Sequence, residues 1–359
     1  MQGCAITIAR RPGLPILENN RMITVHAIFF PLLVFLTSIT ATSLYLFLKK
    51  PNLIVQYYLR VTVLWSGMKI KYVNVNGRNV FYGERGQKQK GKSSMILLHG
   101  FSADKSMWAP LVRNLPRNIH VIALDLPGNG ESEPPEEGTD LSFKGLVHSV
   151  HQIIEKLEMS DDPLHIVGLS MGGAIAGLYA AEYPLVVDRV TMMCPAMRTP
   201  EQTAVAKKIQ RAVESGDEDT ILRDCPLFPQ NPDEMQYLLD FAQFHKSSFI
   251  PKQILQGAVD MRRQYHGFYL KLLKGLSAEE NATLLERTAP HITVPSHIVW
   301  GQEDQVVHVS GAKILTDKLP NCKRVDIIPR CGHAINLDRP GSKTKALLSF
   351  RGEYSKKGN

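Results

Sequence analysis

His165-Ile166-Val167-Gly168-Leu169-Ser170-Met171-Gly172-Gly173 carries a short apolar segment through a G-x-S-x-G motif into a helical stretch at 174–182. A serine at that junction sits on a sharp strand-to-helix turn, and glycines two positions either side remove side chains that would collide there. The turn presents the Ser170 hydroxyl at the start of a helix, whose free N–H groups favour developing negative charge. A Gly-rich helix start with an incidental serine is the competing reading, and the rest of the chain decides between the two.

Around this stretch the hydrophobic rhythm is that of a buried parallel sheet. Residues 69–75 and 79–84 alternate apolar and polar about Asn76-Gly77, which predicts an opening hairpin. Beyond them, 95–98, 120–124, 164–167, 190–193, 297–300 and 324–328 are short apolar runs, mostly separated by helical periodicity. Between residues 197 and 290 no strand pattern occurs, and apolar residues recur at helical spacing through 235–244 and 253–273. This predicts a helical cap at 197–290 inserted between a first core part, 69–196, and a second, 291–359.

Serine is a weak nucleophile and needs a base, itself oriented by an acid. Cys331-Gly332-His333 follows the last apolar run, which puts His333 on a loop at the carboxyl end of the sheet. Trp300-Gly301-Gln302-Glu303-Asp304 ends the strand before it. The chain order Ser, Asp, His favours Asp304 as the acid, with Glu303 as its rival. Leu98-His99-Gly100-Phe101 ends an earlier strand, and the N–H groups of Phe101 and Met171 are the candidate oxyanion hole. His99 and Asp125 read as structural residues of their loops. Phe228, Phe241, Phe244, Phe249, Ile254, Phe268 and Tyr269 are candidate walls of an apolar tunnel, or plain cap core. With these elements the expected class is α/β, an α/β-hydrolase fold with a mostly parallel central sheet flanked by helices.

Composition sets the limits. With 44% hydrophobic and 21% charged residues, the 359-residue chain is ordinary globular protein. The net charge of +8 is scattered, without a basic run interleaved with aromatics, which argues against nucleic acid. Five cysteines without regular spacing suit a reducing compartment. There is no P-loop, no H-E-x-x-H and no G-x-G-x-x-G after a strand, so no cofactor or metal is expected.

Ahead of the core, after an N-terminal segment 1–26, residues 22–48 carry no Asp, Glu, Lys or Arg, and 27–48 are long enough to cross a hydrocarbon layer of roughly 30 Å. A Thr/Ser-containing stretch at 37–43 lowers the insertion tendency and keeps a cleaved signal or a surface helix in contention. Arg10, Arg11 and Arg21 precede the segment, while Lys49, Lys50, Arg60, Lys69 and Lys71 follow it; the heavier flank predicts a single-pass membrane protein with a cytosolic catalytic part. In the juxtamembrane segment 49–68, residues 53–64 have Arg60 as their only charge and suit either the bilayer surface or a packed helix. Asn281-Ala282-Thr283 is a glycosylation sequon, usable only in a lumen.

The combination His99-Gly100-Phe101-Ser102, Gly168-Leu169-Ser170-Met171-Gly172-Gly173, Trp300-Gly301-x-x-Asp304-Gln305-Val306 and Cys331-Gly332-His333 resembles the membrane-anchored monoacylglycerol lipases of the α/β-hydrolase-domain group, the branch of its sixth member. The likeness runs from about residue 65 to 340 and includes the cap segment Pro251-Lys252-Gln253-Ile254-Leu255-Gln256-Gly257. It implies hydrolysis of monoacylglycerols such as 2-arachidonoylglycerol, and of lysophospholipids, by an enzyme anchored beside the lipid bilayer. It further implies Ser170 as nucleophile, Asp304 as acid, His333 as base, and oxyanion amides at Phe101 and Met171. Residues 1–21 and Pro31 within the anchor depart from the pattern. On the same triad, a broad carboxylesterase or a carbon–carbon bond hydrolase is the alternative, and a catalytically silent tethered scaffold is the alternative of another class.

Overall fold

The computed structural model describes residues 18–246 and 249–352, with backbone alone for 18–28. Among the described residues the sheet is eight-stranded. β1 (Lys69–Val75) and β2 (Arg78–Arg85) form the predicted hairpin, and Asn76 and Gly77 take φ of 50° and 82°, the paired positive values that a tight hairpin turn needs. β3 (Ser94–Leu98), β4 (Val121–Leu124), β5 (Leu164–Leu169), β6 (Val187–Met193), β7 (Ser296–Gly301) and β8 (Cys322–Ile328) complete it in the order β1-β2-β4-β3-β5-β6-β7-β8. β2 runs antiparallel to its neighbours, and the remaining pairs are parallel.

Every residue of β3, β4, β5 and β7 is buried. That is why these strands read as unbroken apolar runs, whereas the edge strand β8 alternates in burial up to its last residue. The helix Phe143–Lys156 buries Phe143, Leu146, Val147, Val150, Ile153 and Ile154, a single face at helical spacing, and Ser142 caps its start by accepting from the Gly145 N–H at 3.3 Å. The helix Met171–Glu182 is buried from Met171 through Ala180, which fits its run of Gly and Ala packed on the sheet.

Between β6 and β7 the described residues hold helices and no strand. Ala204–Glu214, Glu218–Asp224, Pro232–Ala242, Lys252–Arg263 and His266–Ser277 are the longer ones. Two small cores hold them, one with Ile221, Phe228, Tyr269 and Leu270, the other with Met235, Leu255 and Val259. The sequon asparagine lies at the end of this region with its amide buried and donating to the Gly275 carbonyl at 2.7 Å, so the folded chain does not present it for glycosylation.

The N-terminal helix Glu18–Lys49 is one described unit, and its segment Phe29–Lys49 is long and apolar enough to cross a membrane. The hydroxyls of Thr37 and Thr40 donate to the Leu33 and Leu36 carbonyls at 2.9 and 2.8 Å. This removes much of the penalty that the Thr/Ser stretch suggested, because a hydroxyl bonded within its own helix needs no water. In the second unit, the helix Pro51–Trp65 packs on the cap helix Lys252–Arg263, where Gly257 admits the Pro51 backbone: a Cβ there would lie 2.6 Å from the Pro51 oxygen. The same helix leaves its other face exposed, so both readings of residues 53–64 have a structural basis.

Candidate active site

Ser170 occupies the junction between β5 and the helix Met171–Glu182 with φ 57° and ψ −121°, a strained conformation for a residue with a side chain. The flanking glycines are required sterically. A Cβ at Gly168 would run into the Gly172 carbonyl, and one at Gly172 into the backbone of Leu98 and His99. The turn is fastened to the end of β6, where the Ser170 N–H donates to the Met193 carbonyl at 2.9 Å and the Ser170 carbonyl accepts from the Ala196 N–H at 2.9 Å.

The end of β7 and the loop after β8 meet in a carboxylate–imidazole pair. His333 Nδ1 lies 2.7 Å from Asp304 Oδ2, and both residues are buried. The other carboxylate oxygen accepts from the Val306 and Val307 N–H groups at 2.8 and 2.9 Å, which fixes its plane. An ionised carboxylate only accepts, so Nδ1 carries the proton and Nε2 is left as the basic nitrogen. Glu303, the rival acid, instead accepts from the Cys331 N–H at 2.8 Å and shapes the histidine loop.

Cys194, just beyond β6, joins the two halves. Its thiol donates to the His333 carbonyl at 3.5 Å, and its sulfur, the Asp304 carboxylate and the His333 ring lie within 4.8 Å of one another. Burial, then the nearby Asp304 charge, raise this thiol well above its usual pKa. With its proton given to the His333 carbonyl, the thiol is a hydrogen-bonding neighbour of the carboxylate–imidazole pair.

On the opposite side of Ser170 lies the loop after β3. A Cβ on Gly100 would sit 3.3 Å from the Ser170 Cβ, so this loop lies directly against the nucleophile. His99 Nδ1 bonds the Gly100 carbonyl at 2.7 Å, and its Nε2 accepts from the Leu126 N–H at 3.0 Å. Burial lowers its pKa to about 4, so it is a neutral loop organiser, as its sequence position suggested. Met171 is the first residue of its helix, and its N–H has no acceptor within that helix. The Phe101 ring packs against Phe228 and Tyr269 at centroid distances of 6.2 and 5.6 Å.

Of the seven candidate tunnel residues, Phe228, Phe268 and Tyr269 gather around Phe101. Phe268 also closes on Gly128, where no side chain would fit. Phe241 meets Tyr237 edge to face, and Ile254 is half-buried on its own helix. Phe244 is 40% exposed and Phe249 is 90% exposed. The seven therefore do not form one wall, because helical spacing shows that a face is apolar without showing what it faces.

Sequence reasoning missed three supports. Arg262 of the cap donates to both oxygens of Ser102, whose φ is 53°, and to the Leu227 carbonyl. Asp338 accepts from the Phe244, His245 and Gly332 N–H groups at 2.8, 2.9 and 2.8 Å and so joins the cap to the histidine loop. Asp125 accepts from the Lys105 N–H and ammonium at 2.6 Å each and from the Glu131 N–H at 3.0 Å, while Glu131 also pairs with Lys105 and with Arg60. The last confirms Asp125 as a residue of its own turn. A motif in the sequence flags none of these contacts, and those of Arg262 with Ser102 and of Asp338 with Phe244 join residues far apart in the chain.

Residues 94–340 match the alpha/beta hydrolase fold family. The chain is 34% identical to the human (Homo sapiens) Monoacylglycerol lipase ABHD6 over 332 residues, covering 92% of this chain and 94% of the relative. It is 24% identical to Lipase 1 of Psychrobacter immobilis over 79% of this chain and 86% of that one. Among solved structures, a bacterial membrane phospholipase A described as a virulence factor superposes with a TM-score of 0.74 at 26% identity, over 90% of this chain and 97% of that one. The carbazole-degradation serine hydrolase CarC, at 21% identity and a TM-score of 0.64, shares the fold. With a serine on the strained turn, a buried carboxylate–imidazole pair in the expected chain order, and these likenesses, the chain belongs to the α/β-hydrolase family, alongside the ABHD6 relatives, and is a serine ester hydrolase.

Proposed function

We infer that this enzyme hydrolyses the ester bond of monoacylglycerols, releasing fatty acid and glycerol, with lysophospholipids as further acyl substrates. The observation that carries the chemistry is Ser170 on its strained turn within a site that also holds the buried His333–Asp304 pair. The substrate class rests on the likeness to relatives named Monoacylglycerol lipase.

In this reading Ser170 Oγ attacks the ester carbonyl while His333 Nε2 takes its proton. Asp304 holds the imidazole in the required tautomer and stabilises its cation. The Phe101 and Met171 N–H groups receive the oxyanion. Glycerol leaves with the proton from His333, and water then attacks the acyl-enzyme with His333 again as base. The residues of the chain supply every step, and no cofactor enters. The segment Phe29–Lys49 serves as a single-pass anchor, with the catalytic unit on the cytosolic side, where Lys49 ends the span and Lys50 and Arg60 follow it. Residues 69–196 and 291–359 form the hydrolase core, and 197–290 the cap that covers it.

Glycerol release from monoacylglycerol in mixed micelles, compared with turnover of a short-chain ester and of a vinylogous 1,5-diketone cleaved at a carbon–carbon bond, tests this assignment. Glycerol release at a kcat/KM well above the other two supports it. Preference for the diketone or the short ester replaces the substrate while keeping the serine chemistry, and inactivity of folded enzyme on all three favours a silent scaffold.

A further inference from the structure

Three arginines from separate elements face one cleft at the far end of the juxtamembrane helix. Arg85 comes from β2, Arg113 from the helix Ala109–Asn114, and Arg117 from the loop behind it. With Trp65, Ser66 and Gly67 they line a cleft of about 470 Å³ whose lining contains no carboxylate. Arg85 directs its terminal nitrogens at the Val112, Leu115 and Pro116 carbonyls, and its buried Nε has no partner. The Arg113 guanidinium lies over the Trp65 ring at 4.7 Å. Burial, then the neighbouring Arg117 charge, lower the Arg85 pKa. Like charges gathered without a counter-charge repel one another, and a bound anion relieves that repulsion.

The source of the anion is indicated by the helix that ends there. Leu53, Tyr57, Val61 and Leu64 recur at helical spacing along the outer face of Pro51–Trp65, and all are exposed, as are Tyr58 and Trp65 beside them. An apolar stripe with Tyr and Trp is the composition of a segment lying in a membrane interface. The helix starts two residues after Lys49, where the apolar segment ends. If that segment spans a bilayer, two residues reach only about 7 Å, which keeps Pro51 at the interface. The helix is then about 22 Å long, so Trp65 stays within reach of the headgroups.

The geometry points to a lipid site: the outer face of Pro51–Trp65 lies in the membrane interface, and the Arg85–Arg113–Arg117 cleft holds the phosphate of an anionic phospholipid whose acyl chains continue along the stripe. This rests on reading Phe29–Lys49 as a membrane span. The contact has a consequence for the active site. Pro51–Trp65 packs on Lys252–Arg263, the helix whose Arg262 holds Ser102, so seating the one on lipid sets the height of the other above the membrane.

Trp65 is a native reporter, because the other two tryptophans, Trp108 and Trp300, are fully buried. Full-length protein is reconstituted in vesicles of phosphatidylcholine and phosphatidylglycerol in which one lipid or the other carries brominated acyl chains. Quenching of tryptophan emission then reports which lipid surrounds Trp65, and Trp65→Phe gives the background. Brominated phosphatidylglycerol should quench several-fold more than brominated phosphatidylcholine at equal mole fraction, with enrichment of about fivefold for each arginine engaged. In Arg113→Gln/Arg117→Gln the two lipids should quench equally, with fluorophosphonate labelling retained to show a folded enzyme. Equal quenching in the wild type, or quenching by aqueous acrylamide alone, overturns the proposal. A change of Trp65 emission with inorganic phosphate in lipid-free detergent also overturns it, in favour of a soluble phosphate ligand. Resistance of the wild type to alkaline carbonate extraction is scored in parallel, so loss of the anchor reading is told apart from loss of the lipid site.

Discussion

Arg262 donates from Nη2 to the Ser102 hydroxyl at 2.5 Å, linking the last turn of a cap helix to the residue after the candidate oxyanion amide of Phe101. A second donor from the same guanidinium reaches the Ser102 carbonyl at 3.2 Å. The fork holds a residue at positive φ, where the backbone does not rest unaided.

Arg262→Lys should therefore lower kcat about tenfold with little change in KM, since a lysine cannot engage both oxygens and the oxyanion donor drifts. Steady-state kinetics on one ester substrate separates the two parameters. A rise in KM at constant kcat would show that Arg262 shapes substrate binding instead.

Asp304 and Glu303 are adjacent but have different partners, so their variants should separate cleanly. Asp304→Asn should cut kcat by about 10⁴, through loss of the correct His333 tautomer, with thermal stability nearly kept. Glu303→Gln should keep most activity while lowering the melting temperature, because it weakens the hold on the Cys331 N–H. Equal activity losses in the two variants would contradict the assignment.

Gly168→Ala should give a misfolded or unstable protein, destabilised by about 3 kcal/mol or more, because the new methyl meets the Gly172 carbonyl and rigid backbone must move. Gly341→Ala is the matched control, since a Cβ there meets nothing and alanine suits a helix better than glycine, so its melting temperature should hold or rise slightly. Differential scanning fluorimetry of the pair is sufficient.

Acid should destabilise the fold through buried neutral histidines. Burial lowers the pKa of His99 to about 4, and lowers those of His165 and His297 as well. Once unfolded, each imidazole returns to about 6.5. Below that pH the unfolded chain binds protons that the folded chain refuses, so stability falls by up to about 1.4 kcal/mol per pH unit for each such group. Above it neither state is protonated and the contribution disappears. Asp125, raised to about 6 by burial, acts in the opposite sense, since the folded state holds its proton more tightly. The histidines outnumber it, so the melting temperature should drop as pH falls from neutral toward about 5. His165→Gln should flatten that slope, and a melting temperature that rises on acidification would refute this.

The sheet was legible because its central strands are buried on both faces and admit little but apolar residues, and the hairpin because Asn76-Gly77 is a turn that few other pairs can make. Ser170, His333 and Asp304 stand out in the sequence as candidates because the proposed chemistry needs particular residues at strand ends in a fixed chain order. The bonds that hold them were not. Arg262 and Ser102 are 160 residues apart, and Asp338 meets Phe244 only after the cap has folded onto the core. The cap aromatics illustrate the same limit: Phe228 and Phe249 look alike in sequence, yet one lies fully buried against Phe101 and the other stands in solvent. Arg85, Arg113 and Arg117 are scattered in sequence and become a cleft only when β2 and its neighbouring loops come together.

The most direct test of the central claim is peptide mass mapping of the folded, membrane-reconstituted enzyme after fluorophosphonate treatment. The adduct should fall on the peptide containing Ser170, vanish in Ser170→Ala, and form far more slowly in His333→Ala. An adduct on any other serine, or none on folded wild type, would contradict the assignment of Ser170 as the nucleophile.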